Sequence, residues 1–427
     1  MSVLFAVATL NALWPVRRPW WVKMSSFTAG WFANELPIHL LAGHAVVVAT
    51  LCGLGALDER PGQVGVALSV AAAVGLVGLA AAHRRAGKAM DEALGPVLAA
   101  GGARSEDREG ARSAVPTTWL AWPWLAWTGT PEVERIPGIV YSTVAGRSLE
   151  LDLHRPARLL RDCPVLVEIH GGGWIAGDRR LEARPLMHHM AERGWVCVSI
   201  DYRVGRAATW PEQLVDVNSA LAWVHEHIAE YGGDPDFVAV TGGSAGGHLA
   251  ALAALAPDEV GEVDDLDGPG VDEPARAGRG AVIRACVPFY GPYDFDNSLG
   301  MHPPGEMRLV ERFVVRVPLD DDPVRYARAS PLARVHADAP AFLVVQGSSD
   351  NLVFPAESRA FVDKLRTTSR AAVAYAEIPR AQHEFDAVAS VRTCHVIAGV
   401  RRFLEHVLAE HRRTAAASTA AAADPSR

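Results

Sequence analysis

The chain has 427 residues, about half of them apolar and 21% charged, with a formal net charge of −8. Its length supports one large catalytic domain plus an accessory segment. The acidic balance and the lack of a basic stripe exclude a general nucleic-acid binder, and five widely spaced cysteines with no CxxC pair argue against a disulfide framework or a zinc site.

Residues 1–35 read as an amphiphilic segment. The apolar run at 3–14 has no positive region before it, and Arg17 and Arg18 follow it, which is the wrong order for a secretory signal. Residues 36–57 carry no formal charge, and residues 64–82 have Ser69 as their only polar side chain. As helices they would measure roughly 33 and 28 Å at about 1.5 Å per residue, near the roughly 30 Å of bilayer hydrocarbon. A transmembrane hairpin over 36–85 is the leading expectation, and a buried helical hairpin packed on a soluble domain is its competitor. His39 and His44 are five apart, off the face a metal pair would use, and read as packing or interfacial residues. Arg17, Arg18 and Lys23 precede the first run, Arg84, Arg85 and Lys88 follow the second, and only Arg60 lies between. The positive-inside rule then places the catalytic domain on the cytoplasmic side of the cell membrane.

Eight of the twelve tryptophans precede residue 130. Trp14, Trp20, Trp21 and Trp31 flank the first run and suit the headgroup region; Trp119, Trp122, Trp124 and Trp127 suit either that region or packing over the catalytic domain. Residues 86–130 are expected to be linker and Trp-rich segment, with polar, Gly-rich 101–116 the clearest linker.

Residues 131–412 alternate strand and helix signals, with a starting hairpin turned at Ala145-Gly146. Short apolar runs follow at 165–169, 196–200, 237–240, 282–287, 342–345 and 373–378, and helical stretches include 210–230 and 248–255. Runs of this kind are strands buried on both faces, so the expected class is α/β, a mostly parallel sheet with helices on both sides. Residues 259–280 read as an acidic surface insertion, and 413–427 as a disordered tail.

The strongest chemical signal is Gly242-Gly243-Ser244-Ala245-Gly246, a G-x-S-x-G directly after one strand and directly before a helical run. A nucleophile elbow needs that context, with small neighbours letting strand and helix approach a strained serine. The second signal, His170-Gly171-Gly172-Gly173-Trp174, follows the strand at 165–169. Acyl transfer passes through an oxyanion that needs preorganised N–H donors, here expected from Gly172, Gly173 and Ala245. His170 lies upstream on that loop and reads as a structural hydrogen-bonder. Asp350, after the strand at 342–345, and His383, 33 residues later, follow in the order acid then base. His383 would take the Ser244 proton and Asp350 would fix its tautomer. Asp294 is the rival acid. His395 reads as helical, Glu384 as structural, and Asp201 with Arg203 and Asp216 with Trp210-Pro211 as buttresses of the active face.

These motifs resemble the bacterial esterase/lipase branch of the α/β-hydrolase fold that carries an HGGG motif and includes hormone-sensitive-lipase-like carboxylesterases. The matching residues are HGGGW at 170–174, DYR at 201–203, WPEQLVDV at 210–217, YGGDP at 231–235, GGSAGGHLA at 242–250, YGPYDF at 290–295, GSSD at 347–350 and QHEFD at 382–386. The resemblance spans roughly 131–410 and implies Ser244, Asp350 and His383 as catalytic residues, with no metal or organic cofactor. Residues 203–209 (RVGRAAT) depart from the R-L-A-P-E run usual in the hormone-sensitive-lipase-like branch. The segments NALWP, SFTAGW and ELP before the apolar hairpin resemble membrane-associated actinobacterial esterases. The resulting expectation is a membrane-anchored serine carboxylesterase or lipase acting on a small-molecule or lipid ester. A deacetylase or amidase would use the same residues, and a non-catalytic hydrolase-fold membrane module is the alternative of a different class. The cap, expected from 119–127 and roughly 295–330, has no readable side-chain code, and the oligomeric state is left open.

Overall fold

A computed structural model describes residues 1–17, 19–100, 131–158, 160–256 and 282–422. The expected linker at 101–116, the second tryptophan cluster and the acidic insertion at 259–280 lie outside the described residues.

The apolar amino-terminal quarter forms four helices, α1 (Ser2–Leu13), α2 (Trp20–Glu35), α3 (Pro37–Gly53) and α4 (Arg60–Ala100). Pro37 supplies no amide to continue α2 and suits the first turn of a new helix, so the chain bends by 86° between α2 and α3. Of the two expected spans, the first is a 17-residue helix, while the second runs through 41 residues. Among the described residues α4 alone is long and apolar enough to cross a membrane by itself; α2 and α3 qualify only as a bent pair. The apolar window of α4 is 22% buried. Thr9 and Leu13 of α1 lie over Gly75, where a Cβ would come within 2.7 Å of Thr9 Cγ2. Ala12, Ala33, Leu76 and Leu79 form the small core of this unit.

Two boundaries differ from the sequence expectation. Residues 86–100, expected as linker, continue α4. Ala86, Met90, Leu94 and Leu98 recur every four residues and bury one stripe in the core of the catalytic domain. The tail expected from 413 is helical through Ala422.

The catalytic domain opens with β1 (Val133–Val144) and β2 (Arg147–Pro156). The hairpin turn has positive φ at both Ala145 (49°) and Gly146 (77°), which matches the twist of the flanking strands. The chain continues through β3 (Cys163–Ile169), α5 (Arg184–Ala191), β4 (Val196–Ile200), α6 (Glu212–His227), β5 (Gly233–Gly243), α7 (Ala245–Leu255), β6 (Ile283–Phe289), α8 (Pro304–Val310), α9 (Pro323–Arg328), β7 (Ala341–Gly347), α10 (Pro355–Thr368), β8 (Val373–Ile378) and α11 (Val391–Ala422). The eight strands are ordered β1-β2-β4-β3-β5-β6-β7-β8. The first two run antiparallel and β3 through β8 run parallel.

Helices α6, α7 and α10 contribute to the core on one face of the sheet; α5, α11 and the second half of α4 contribute to the core on the other. The chain goes from β3 outward to β4, then returns to place β5 on the other side of β3. Loops leaving β3 and β5 therefore diverge at their carboxyl ends. That crevice is where open α/β sheets hold ligands.

Candidate active site

Ser244 sits between the end of β5 and the start of α7 with φ 53° and ψ −118°, the strained conformation an elbow requires. The neighbouring glycines are dictated by space. A Cβ on Gly246 would lie 1.8 Å from the carbonyl oxygen of Ile169 at the end of β3. The Ser244 amide donates to Phe289 O at 3.0 Å, and its carbonyl accepts the His248 amide at 3.0 Å, starting α7. Its side chain thus stands at the carboxyl edge, over the positive end of an 11-residue helix.

The structure brings Asp350, not Asp294, to His383. Nδ1 of His383 lies 2.8 Å from Oδ2 of Asp350, and both side chains are buried. Asp350 is held by the amides of Leu352 (2.8 Å) and Val353 (2.9 Å) on Oδ1 and by Gln346 Nε2 (3.0 Å) on Oδ2. Burial opposes the charged imidazolium of His383, but the Asp350 carboxylate outweighs it and raises the His383 pKa above its ordinary value. Asp294 spends its oxygens within its own turn, accepting the amide and hydroxyl of Ser298 (2.8 and 2.7 Å) and the Leu299 amide (2.9 Å). Tyr290 lies beside the chain at Gly243, next to Ser244, and against the His383 ring. It follows Phe289, which accepts the Ser244 amide, and its ring centroid lies 4.6 Å from that of His383.

Gly172 and Gly173 have φ of 103° and 62°, so the loop after β3 folds back on itself, with the Ala176 amide donating to Gly172 O at 3.1 Å. Among the described residues, none accepts a hydrogen bond from the amides of Gly172, Gly173 or Ala245. His170 stacks on Tyr202 at 4.3 Å, and its Nδ1 lies 2.8 Å from Gly171 O, a structural setting. Trp174 Nε1 donates to Nδ1 of buried His248 at 3.3 Å, and His248 Nε2 lies 2.7 Å from Ala329 O. Burial pushes the His248 pKa down to about 3, so this neutral ring ties the loop after β3 to α7. The expected buttresses exchange partners. Arg203 grips Asp216, Nε to Oδ2 at 2.8 Å and Nη2 to Oδ1 at 2.9 Å, while Asp201 pairs with Arg179.

Behind the elbow, Glu168, Glu182, Tyr290, Glu384 and Asp386 line a small cavity together with Thr241, Gly242 and Gly243. Glu182 accepts the Gly171 amide at 2.5 Å, and the Tyr290 hydroxyl donates to Asp386. Burial raises the Glu182 pKa to about 7 and that of Asp386 to about 6. The sequence reading missed this carboxyl group, because Glu168 and Glu182 are separated from Asp386 by some two hundred residues of chain.

It also missed the contribution of α2. Lys23, counted among the basic residues before the first run for the positive-inside orientation, is buried, with Nζ 2.8 Å from Glu306 Oε1 and donating to Leu352 O at 3.2 Å. Trp31, expected at the headgroups, donates its indole N–H to Glu384 O at 3.0 Å. Phe27 meets the His383 ring edge-on at a centroid distance of 6.2 Å. The periodicity 23, 27, 30, 34 was available in the sequence, but nothing local says which partner such a face docks on.

A mostly parallel eight-stranded sheet with a strained, glycine-flanked serine after β5 and a buried Asp350–His383 pair after its later strands is the arrangement of an α/β-hydrolase. The BD-FAE family matches residues 151–365, and the chain belongs to that family. It is 39% identical to the probable carboxylic ester hydrolase LipM of Mycobacterium tuberculosis, over 96% of this chain and 93% of that one. It is 37% identical to esterase LipQ of the same organism, over 88% of this chain and 83% of that protein. Among solved structures it is similar to the butyrate-bound Est2 esterase of Thermogutta terrifontis, with 28% identity and a TM-score of 0.50 over 66% of this chain and 93% of that one. A carbohydrate esterase from gut microbiota shares the fold at 23% identity and a TM-score of 0.54, over 64% of this chain and 96% of that one. The protein is an ester hydrolase.

Proposed function

We propose that the protein is a serine carboxylesterase or lipase that works through an acyl-enzyme, with Ser244 as nucleophile, His383 as general base and Asp350 as its orienting acid. The observation that carries this reading is the buried 2.8 Å contact between His383 Nδ1 and Asp350 Oδ2. A proton on Nδ1, held toward Asp350, leaves Nε2 with its lone pair to accept the Ser244 hydroxyl proton. Ser244 Oγ then bonds to the ester carbonyl carbon, the C–O bond to the alcohol breaks, and the imidazolium returns its proton to the leaving alkoxide. Water repeats the sequence and frees the acid. The amides of Gly172, Gly173 and Ala245 would receive the oxyanion; a lost donor of this kind typically costs about 3–4 kcal/mol of transition-state stabilisation. In this reading the apolar helices anchor the enzyme to the cell membrane, with the catalytic domain on the cytoplasmic side. The exposed apolar residues Val46 on α3, Leu54 just past its end, and Val74 and Val77 on α4 support it.

A fluorophosphonate probe tests the chemistry. The wild type is expected to label and Ser244→Ala to stay unlabelled; a folded wild type that does not label contradicts the proposal. Carbonate extraction of membranes tests the anchor. Retention in the pellet is expected, and release into the soluble fraction removes it.

A further inference from the structure

The side of α2 that faces the catalytic domain touches both loops that hold the acid and the base. Lys23 Nζ donates to Leu352 O at 3.2 Å and stands 4.6 Å over the Phe354 ring, while Asn351 Nδ2 donates to Lys23 O at 3.2 Å. Phe27 lies against the His383 ring, Trp31 donates to Glu384 O, and Asn34 Nδ2 donates to Arg380 O at 2.9 Å. A Cβ on Gly30 would sit 3.0 Å from Gln382 Nε2, so the helix backbone itself lies on the loop before His383. Positions 23, 27, 30, 31 and 34 share one helical face. The opposite face carries Trp21 and Phe32, each more than half exposed.

Phe27 differs from its neighbours on that face. Lys23 and Asn34 are buried and fully occupied with holding loops, whereas the Phe27 ring is half-buried and makes its ring contact with the base. A general base that serves both the nucleophile and the leaving alcohol must border the space the ester occupies. An uncharged ring at the edge of that imidazole offers apolar surface and no hydrogen bond, which favours the apolar part of an ester and limits its bulk.

We propose that Phe27 is a specificity-determining residue: with His383 it walls the space taken by the apolar part of the ester, so a helix joined to the apolar hairpin decides which esters reach Ser244. The inference rests on the serine-hydrolase reading above. It gives the amino-terminal unit a role in selecting substrate as well as in anchoring.

The test uses the full chain in detergent micelles, with Phe27→Ala, Phe27→Leu and Phe27→Trp assayed on p-nitrophenyl esters from acetate to decanoate. Removing the ring should raise the decanoate-to-acetate ratio of kcat/KM by about tenfold, chiefly through KM, with a smaller rise for Phe27→Leu and a fall for Phe27→Trp. A ratio that stays at the wild-type value in all variants, or a uniform loss in kcat across the ester series, overturns the proposal. If Phe27→Ala does not fold, the opposed Leu and Trp variants decide it. Fluorophosphonate labelling of the same samples separates the two readings. Unlabelled wild type defeats the serine mechanism, whereas labelled variants with unchanged ratios defeat the role of Phe27 alone.

Discussion

Around Ser244 the residues of the site come from short contiguous motifs, each at the carboxyl end of a strand. In the amino-terminal unit the residues that reach the site, Lys23, Phe27, Trp31 and Asn34, are spread along one face of a helix. Both regions are apolar, and both are aligned with LipM, whose match covers 96% of the chain. The difference is in what fixes each residue. The elbow is fixed by backbone geometry, since Gly246 has no room for a side chain and Ser244 is strained. Helix α2 is fixed by docking, through an Arg392–Glu35 ion pair and side-chain bonds to loop carbonyls. A site built by backbone geometry leaves a local signature in the sequence; one built by docking leaves only a periodicity.

The largest expected effect lies on the first side of that contrast. His383→Ala should lower ester kcat/KM by about 10⁴–10⁶ while leaving the melting temperature within a few degrees. A loss below a hundredfold would mean that the buried Asp–His pair is not the catalytic one. Next, Asp350→Asn should cost about 10⁴ in kcat through the wrong imidazole tautomer, and Asp294→Asn far less. The reverse order would restore Asp294 as the acid.

On the docking side, Glu35→Ala leaves the guanidinium of Arg392, which has no exposure, without its counter-charge. Denaturant unfolding of the full chain should show a loss of about 3–5 kcal/mol. A neutral result would mean that α2 is held without this pair. The smallest expected effect tests the carboxyls behind the elbow. Burial raises the Glu182 pKa from 4.5 to about 7, so the folded chain keeps a proton that the unfolded chain has lost between those values. Stability from this group is therefore full below pH 4.5 and declines as pH rises through about 7, by roughly 1–3 kcal/mol. Glu182→Gln should flatten that decline in thermal melts taken from pH 5 to 8, and a profile identical to wild type would remove Glu182 as its source.

The strand runs, the hairpin turn at Ala145-Gly146 and the motif loops were legible because strands buried on both faces are continuous apolar runs and turns demand particular residues. The preference for Asp350 over Asp294 rested on chain order and motif resemblance, since both follow strands, and the tertiary structure adds the physical reason that Asp294 is consumed by Ser298 and Leu299. Residues 86–100 were misread for a different reason. Their buried stripe, Ala86, Met90, Leu94 and Leu98, is interleaved with Lys88, Asp91 and Glu92, so mean polarity hid the helical period. Trp31 fits an interfacial role by type and Lys23 a positive-inside one, and their partners Glu384 and Glu306 lie more than 280 residues away in sequence.

The most direct test is to find where an acyl group rests. The wild type is mixed briefly with a p-nitrophenyl ester, quenched in acid, digested and mapped by mass spectrometry. One acyl group per chain on Ser244, absent from Ser244→Ala and Ser244→Cys controls at that position as an ester, is the predicted result. Ester turnover that proceeds with the label on another residue, or that persists in Ser244→Ala, would contradict the account.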